Sequence, residues 1–126
     1  MRPISSQDAG SKEILVLIAN ETSFETRYKH LRAGVRLNSR VAIAVEWSDG
    51  GRNLNAEGYT VDVSPKGCLA IVPQGFAVGQ KLKLINLTNK KTSDAILIWR
   101  GHEGRAGWEL GLEIQDKPED FWGIQF

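Results

Sequence analysis

Residues 27–40 carry Arg27, Lys29, Arg32, Arg36 and Arg40 without one acidic side chain. Guanidinium groups gathered in this way suit an anionic ligand, because each can fork onto two phosphate oxygens and also lie flat on a ring. A run of like charge is equally the mark of a solvated face. Further along, Thr60, Asp62 and Ser64 fall at alternate positions and lead into Gly67. On a strand, that spacing puts the three polar groups on one outward face, with glycine where a larger residue would obstruct an approaching ligand. The same Asp-x-Ser-x-x-Gly string is also how a turn bonds its own backbone.

Little else in the chain is equipped for chemistry. Catalysis needs a nucleophile or base with partners, or a metal cluster. The two histidines, His30 and His102, stand far apart, and the sequence has no HExxH, CxxC or GxSxG. The glycines of GHEGRAG lack the Lys-Ser/Thr of a phosphate-binding loop and sit between expected strands rather than ahead of a helix. We therefore expect no enzyme, no metal and no cofactor. The single cysteine, Cys68, has no partner for an internal disulfide.

At 126 residues the chain has the size of one domain. Sixteen basic against fifteen acidic residues give a net charge of +1, which offers no global attraction for DNA or RNA. Any anion site must then be local. Met1 to Gly10 lacks the apolar core of a signal peptide, so the expected address is cytoplasmic. The longest apolar run, Ile14 to Ala19, is far short of the roughly 20 residues that span a bilayer, so no membrane insertion is expected.

The elements that must hold these residues read mostly as strands. Residues 1–12 form a polar, unpatterned tail, and 13–31 an N-terminal extension in which Ile14 to Ile18 fits either a short strand or the start of a helix. Phe24, Tyr28, Leu31 and Val35 recur with a helical period, and Thr22 with Glu25 has capping-box spacing. Phe24, Thr26, Tyr28 and His30 also alternate as a strand would, and Gly34 ends either element. From Val41 the period is two, with Val41, Ile43, Val45 and Trp47 on one face. Ser48 to Asn53 is a turn, and Tyr59, Val61 and Val63 then alternate with Thr60, Asp62 and Ser64. Cys68–Val72, Lys81–Leu87, Ala95–Arg100 and Ala106–Ile114 complete six strands, the last two joined by a loop at Gly101 to Gly104. Six short strands at hairpin spacing argue for a closed or nearly closed antiparallel β-barrel. The ending KPEDFWGIQF is expected to form a turn whose Phe121, Trp122 and Ile124 plug one end of it.

Together the two polar motifs resemble those of the PilZ domain family: RLNSR (Arg36 to Arg40) running into VAIAVEW, and DVSPKG (Asp62 to Gly67) closing the second strand. The resemblance covers roughly residues 32–126. Arg32 and Arg36 in RAGVR make a second Arg-x-x-x-Arg one step earlier, so the register is not unique, although abutting the first strand favours Arg36 and Arg40. Val35 stands where the family often has a basic residue. The resemblance implies a mainly β fold, a six-stranded antiparallel split-type barrel that binds cyclic di-GMP on its outside, with the arginine-bearing segment folding over the ligand. It further implies that Arg36 and Arg40 neutralise phosphate and read guanine edges and that Arg32 adds a third contact. Asp62 would accept from guanine N1 and N2, Ser64 would bond base or phosphate, and Gly67 would leave room.

Before the ligand arrives, the like charges of that segment are expected to keep it mobile, and its ordering would signal to a protein partner. Two other readings stand beside this one. The barrel can be a degenerate member of the family that only contacts proteins, or a small barrel binding single-stranded nucleic acid. The sequence does not specify the oligomeric state.

Overall fold

The computed structural model describes residues 23–116 and 120–126. The readings placed on the 1–12 tail, on Ile14 to Ile18 and on Thr22 lie outside the described residues. The described chain opens with a helix, α1, over residues 23–33, so the expected boundary between 31 and 32 falls in its last turn. Seven strands follow among the described residues: β1 (Leu37–Asn38), β2 (Ala42–Asp49), β3 (Arg52–Ser64), β4 (Gly67–Val72), β5 (Lys81–Asn86), β6 (Thr92–Gly104) and β7 (Gly107–Ile114). Their order is β1-β3-β2-β5-β6-β7-β4, and β4 pairs back onto β3. Six antiparallel strands thus close into a barrel, with β1 as an extra strand on β3.

Alternation explains the core. Ile43 and Val45 from β2, and Leu110, Leu112 and Ile114 from β7, point inward and are buried together with Leu84 and Leu97. Gly50 and Gly51 both have positive φ, 57° and 80°, as a two-residue hairpin turn between β2 and β3 requires. At one end Phe121 and Trp122 join the core, and Ile124 packs against it. Side-chain donors fasten this end. Asn86 and Asn89 donate through Nδ2 to the Phe121 carbonyl at 2.9 and 3.1 Å, and Trp122 Nε1 donates to the Ser64 carbonyl at 2.9 Å.

Two β-bulges change which side chains face outward. In β3 the register shifts between Thr60 and Asp62, leaving Val61 as the extra residue. Thr60 lies opposite the buried Ala70 and turns to the barrel interior, whereas Asp62 and Ser64 face outward. The single outward row of Thr60, Asp62 and Ser64 is therefore corrected: the outer face carries Tyr59, Asp62 and Ser64. In β6 Ile96 and Ile98 flank the inward Leu97 and face outward by ordinary alternation, and the shift between Leu97 and Trp99 adds Trp99, opposite Gly111, to the same outer face.

The loop expected at Gly101 to Gly104 is also corrected. β6 runs through it, Glu103 pairs with Trp108 and Gly104 with Gly107, and the turn is Arg105–Ala106. Glycine at 101 answers to crowding instead, since a Cβ there would come within 2.3 Å of the Trp99 ring.

Candidate functional site

The arginine-bearing segment starts on α1, and α1 lies on the outside of the barrel. Leu31 packs with Ile96 and Ile98, joined by Phe24 and Tyr28. The Tyr28 ring stacks on Trp99, 4.8 Å between centroids and 5° from parallel. Burial, ahead of any neighbouring charge, pushes the Tyr28 hydroxyl above its ordinary pKa. Arg27 forks onto the Glu113 carboxylate, with its Nε 3.2 Å from each oxygen, and chiefly that hydrogen bond raises the guanidinium's pKa. Phe24, Tyr28 and Leu31 thus form the helical face the sequence suggests. Val35 does not join it, because Gly34 ends the helix with its N–H donating to the His30 carbonyl at 3.2 Å, and Val35 is left 61% exposed.

The chain past Gly34 is tied to β3. Leu37 and Asn38 pair with Val63 and Asp62, and the Ser39 N–H donates to the Val61 carbonyl at 3.3 Å. Thr60 fastens the next step: its hydroxyl donates to the Ser39 carbonyl and accepts from the Val41 N–H at 2.8 Å. A side chain read as a surface polar group is thereby a staple for the arginine segment.

Arg32, from the last turn of α1, and Arg36, from the linker, both reach Asp62. Their Nη1 atoms lie 3.0 and 3.8 Å from the same Asp62 oxygen, Oδ2. Asp62 itself is 8% exposed, while each of the two arginine side chains keeps about a third of its surface in solvent. Arg40 goes elsewhere, its guanidinium 3.9 Å from the centre of the Tyr59 ring. Tyr59 shares the outer face of β3 with Asp62 only because of the bulge at Val61. Three arginines and the Asp62 carboxylate thus gather at the outer face of β3, where the exposed Glu57 stands two residues before Tyr59 on the same face.

Ser64 and Gly67 have local occupations. The Ser64 hydroxyl is buried and accepts from the backbone N–H groups of Lys66 and Gly67 at 3.2 and 3.1 Å, which holds the β3–β4 turn. A Cβ on Gly67 would lie 2.0 Å from the Leu112 carbonyl oxygen, so close strand packing demands glycine there. Tyr59 and Glu113 carry no site signal in the sequence, and Thr60 stands there only as part of the outward polar row. Tyr59 was hidden in a regular alternation, and Glu113 pairs with a residue 86 positions away.

Cys68 is buried, and that burial, with Asp62 nearby, holds its thiol well above the ordinary range. Among the described residues no group of three or more His, Cys, Asp or Glu is placed to hold a metal ion, and no helix is long and apolar enough to cross a membrane. Comparison with family models, curated proteins and solved structures finds no match for this chain.

Proposed function

We propose that this chain is a PilZ-like receptor that binds cyclic di-GMP on the outer face of its barrel, in the cytoplasm and without catalysing a reaction. The observation that carries the reading is the convergence of Arg32 and Arg36 on Asp62, with Arg40 beside them over Tyr59. The three guanidinium groups complement a ligand with two phosphates. The Asp62 carboxylate suits the N1 and N2 donors of guanine. Arg36 and Arg40 take phosphate oxygens or guanine edges, and Arg32 supplies a third contact.

Binding on these terms is an exchange. The ion pairs on Asp62 are partly open to water and so contribute little to stability, and the Arg40 stack is a surface contact. A doubly charged ligand that forks onto several guanidinium groups offers more than either. Ser64 and Gly67 serve indirectly, by shaping the turn that presents Asp62. Rearrangement of the segment between α1 and β2 is the output, read by a protein partner.

A second reading has its own support: Asp62, Ser64 and Gly67 each have an internal structural role, as they would in a barrel that only contacts proteins. Calorimetric titration of the full chain with cyclic di-GMP separates the two. Saturable binding supports the receptor, and its absence at ligand concentrations well above micromolar leaves the interaction module.

A further inference from the structure

A cleft of about 160 Å³ runs between the end of α1 and the β3–β4 turn. Leu31 and Val35 wall it on the helix side and Pro65 on the turn side, with the exposed His30 and Lys66 on the two banks. It adjoins the arginine patch at three points. Leu31 and Val35 immediately precede Arg32 and Arg36 in the chain. Ser64, also in the lining, follows Asp62 by two residues on the same face, a step of roughly 7 Å along a strand.

Its size and lining fit part of a ligand. Sites that engulf a drug-sized molecule hold roughly 300–1,000 Å³, so this cleft suits one portion of a dinucleotide whose remainder sits on Arg36, Arg40 and Asp62. An apolar wall suits the flat face of a base. The polar side chains on the banks are also uncommitted here: among the described residues neither His30 nor Lys66 has a side-chain hydrogen bond or ion pair, whereas Arg27 is held by Glu113 and Arg32 by Asp62.

We infer that this cleft is a second subsite of the same binding face. One purine of the cyclic dinucleotide lies against Val35, Leu31 and Pro65, Lys66 meets a phosphate, and His30 hydrogen-bonds the base edge or the phosphate. The inference rests on the cyclic di-GMP reading. It assigns recognition to His30, outside the paired motifs, and to Lys66, an unspecified position within the second, and gives Val35 a place in the apolar wall.

Calorimetric titration of the full chain with cyclic di-GMP tests it, using the unmodified protein, Lys66→Ala, Val35→Asp and Lys29→Ala. Lys29 is an exposed cation of the same run that does not line the cleft. The expected result is a roughly threefold to tenfold loss of affinity for Lys66→Ala, a larger loss for Val35→Asp, and little change for Lys29→Ala. All three positions are exposed, so thermal melts are expected to coincide with that of the unmodified chain. Binding by the unmodified protein that is indifferent to Lys66→Ala and Val35→Asp, or equally weakened by Lys29→Ala, overturns the subsite and leaves the receptor standing. No binding by the unmodified protein overturns both.

Discussion

Arg32 Nη1 lies 3.0 Å from Asp62 Oδ2, which joins the last turn of α1 to the outer face of β3. The pair links the helix to the carboxylate of the arginine patch, and Arg36 approaches the same oxygen. Asp62→Ala leaves both guanidinium groups without this acceptor. Because they are part-exposed, the stability cost is expected to be about 1 kcal/mol or less. The larger effect is on recognition: the variant is expected to lose its preference for cyclic di-GMP over cyclic di-AMP, which paired calorimetric titrations would reveal. A preference that survives the substitution would remove Asp62 from base reading.

Gly67→Ala distinguishes a motif glycine that makes room for ligand from one that makes room for a strand. The added Cβ would meet the Leu112 carbonyl at 2.0 Å, so the backbone of β4 or β7 must shift. Destabilisation of roughly 1–3 kcal/mol is expected in the absence of any ligand, measured as a lowered denaturation midpoint. An unchanged midpoint with weakened binding would return the glycine to the ligand.

Trp122→Ala removes a core ring and the donor to the Ser64 carbonyl. Truncation of a buried Trp costs about 3–5 kcal/mol, so thermal or denaturant unfolding is expected to shift markedly. Trp122→Phe refills most of the volume and isolates the lost hydrogen bond, at roughly 1–3 kcal/mol.

The Cys68 thiol is expected to be inert to a disulfide reagent in the native protein at neutral pH and to react once the chain is unfolded. Its pH dependence has a definite sign. Burial raises the folded-state pKa above the ordinary value of 9.0, so folded and unfolded chains hold the proton alike below about pH 9. Above that the unfolded chain loses the proton first, and stability falls as pH rises. Denaturant midpoints measured across this range should show the slope, and Cys68→Ala should reduce it.

Much of the barrel is legible from residue order, because burial imposes a period of two that β2 and β7 keep without interruption. The helix is less so: Phe24 and Tyr28 satisfy both a helical and a strand period, and the decision comes from Ile96, Ile98 and Trp99, far off in sequence. β1 is two residues long and leaves no pattern to read. The bulge at Val61 arises from the register of β3 against β4, which residue types alone do not specify, and it reassigns Thr60 and Tyr59 at once. The arginines are visible as a cluster, but which of them meets Asp62 depends on where α1 ends. The structure selects Arg32 and Arg36, and sends Arg40 to Tyr59.

The central claim is that guanidinium groups from the segment ahead of β2 hold the ligand against the outer face of β3. Equilibrium titration with cyclic di-GMP of the unmodified chain beside the Arg36→Ala/Arg40→Ala double variant tests it most directly. Charge-assisted hydrogen bonds worth about 1.5–3 kcal/mol each translate into roughly tenfold to hundredfold per arginine. The expected outcome is saturable binding to the first and a hundredfold or greater weakening in the second, with both melting alike. Undiminished binding by the double variant, or none by the unmodified chain, would contradict the account.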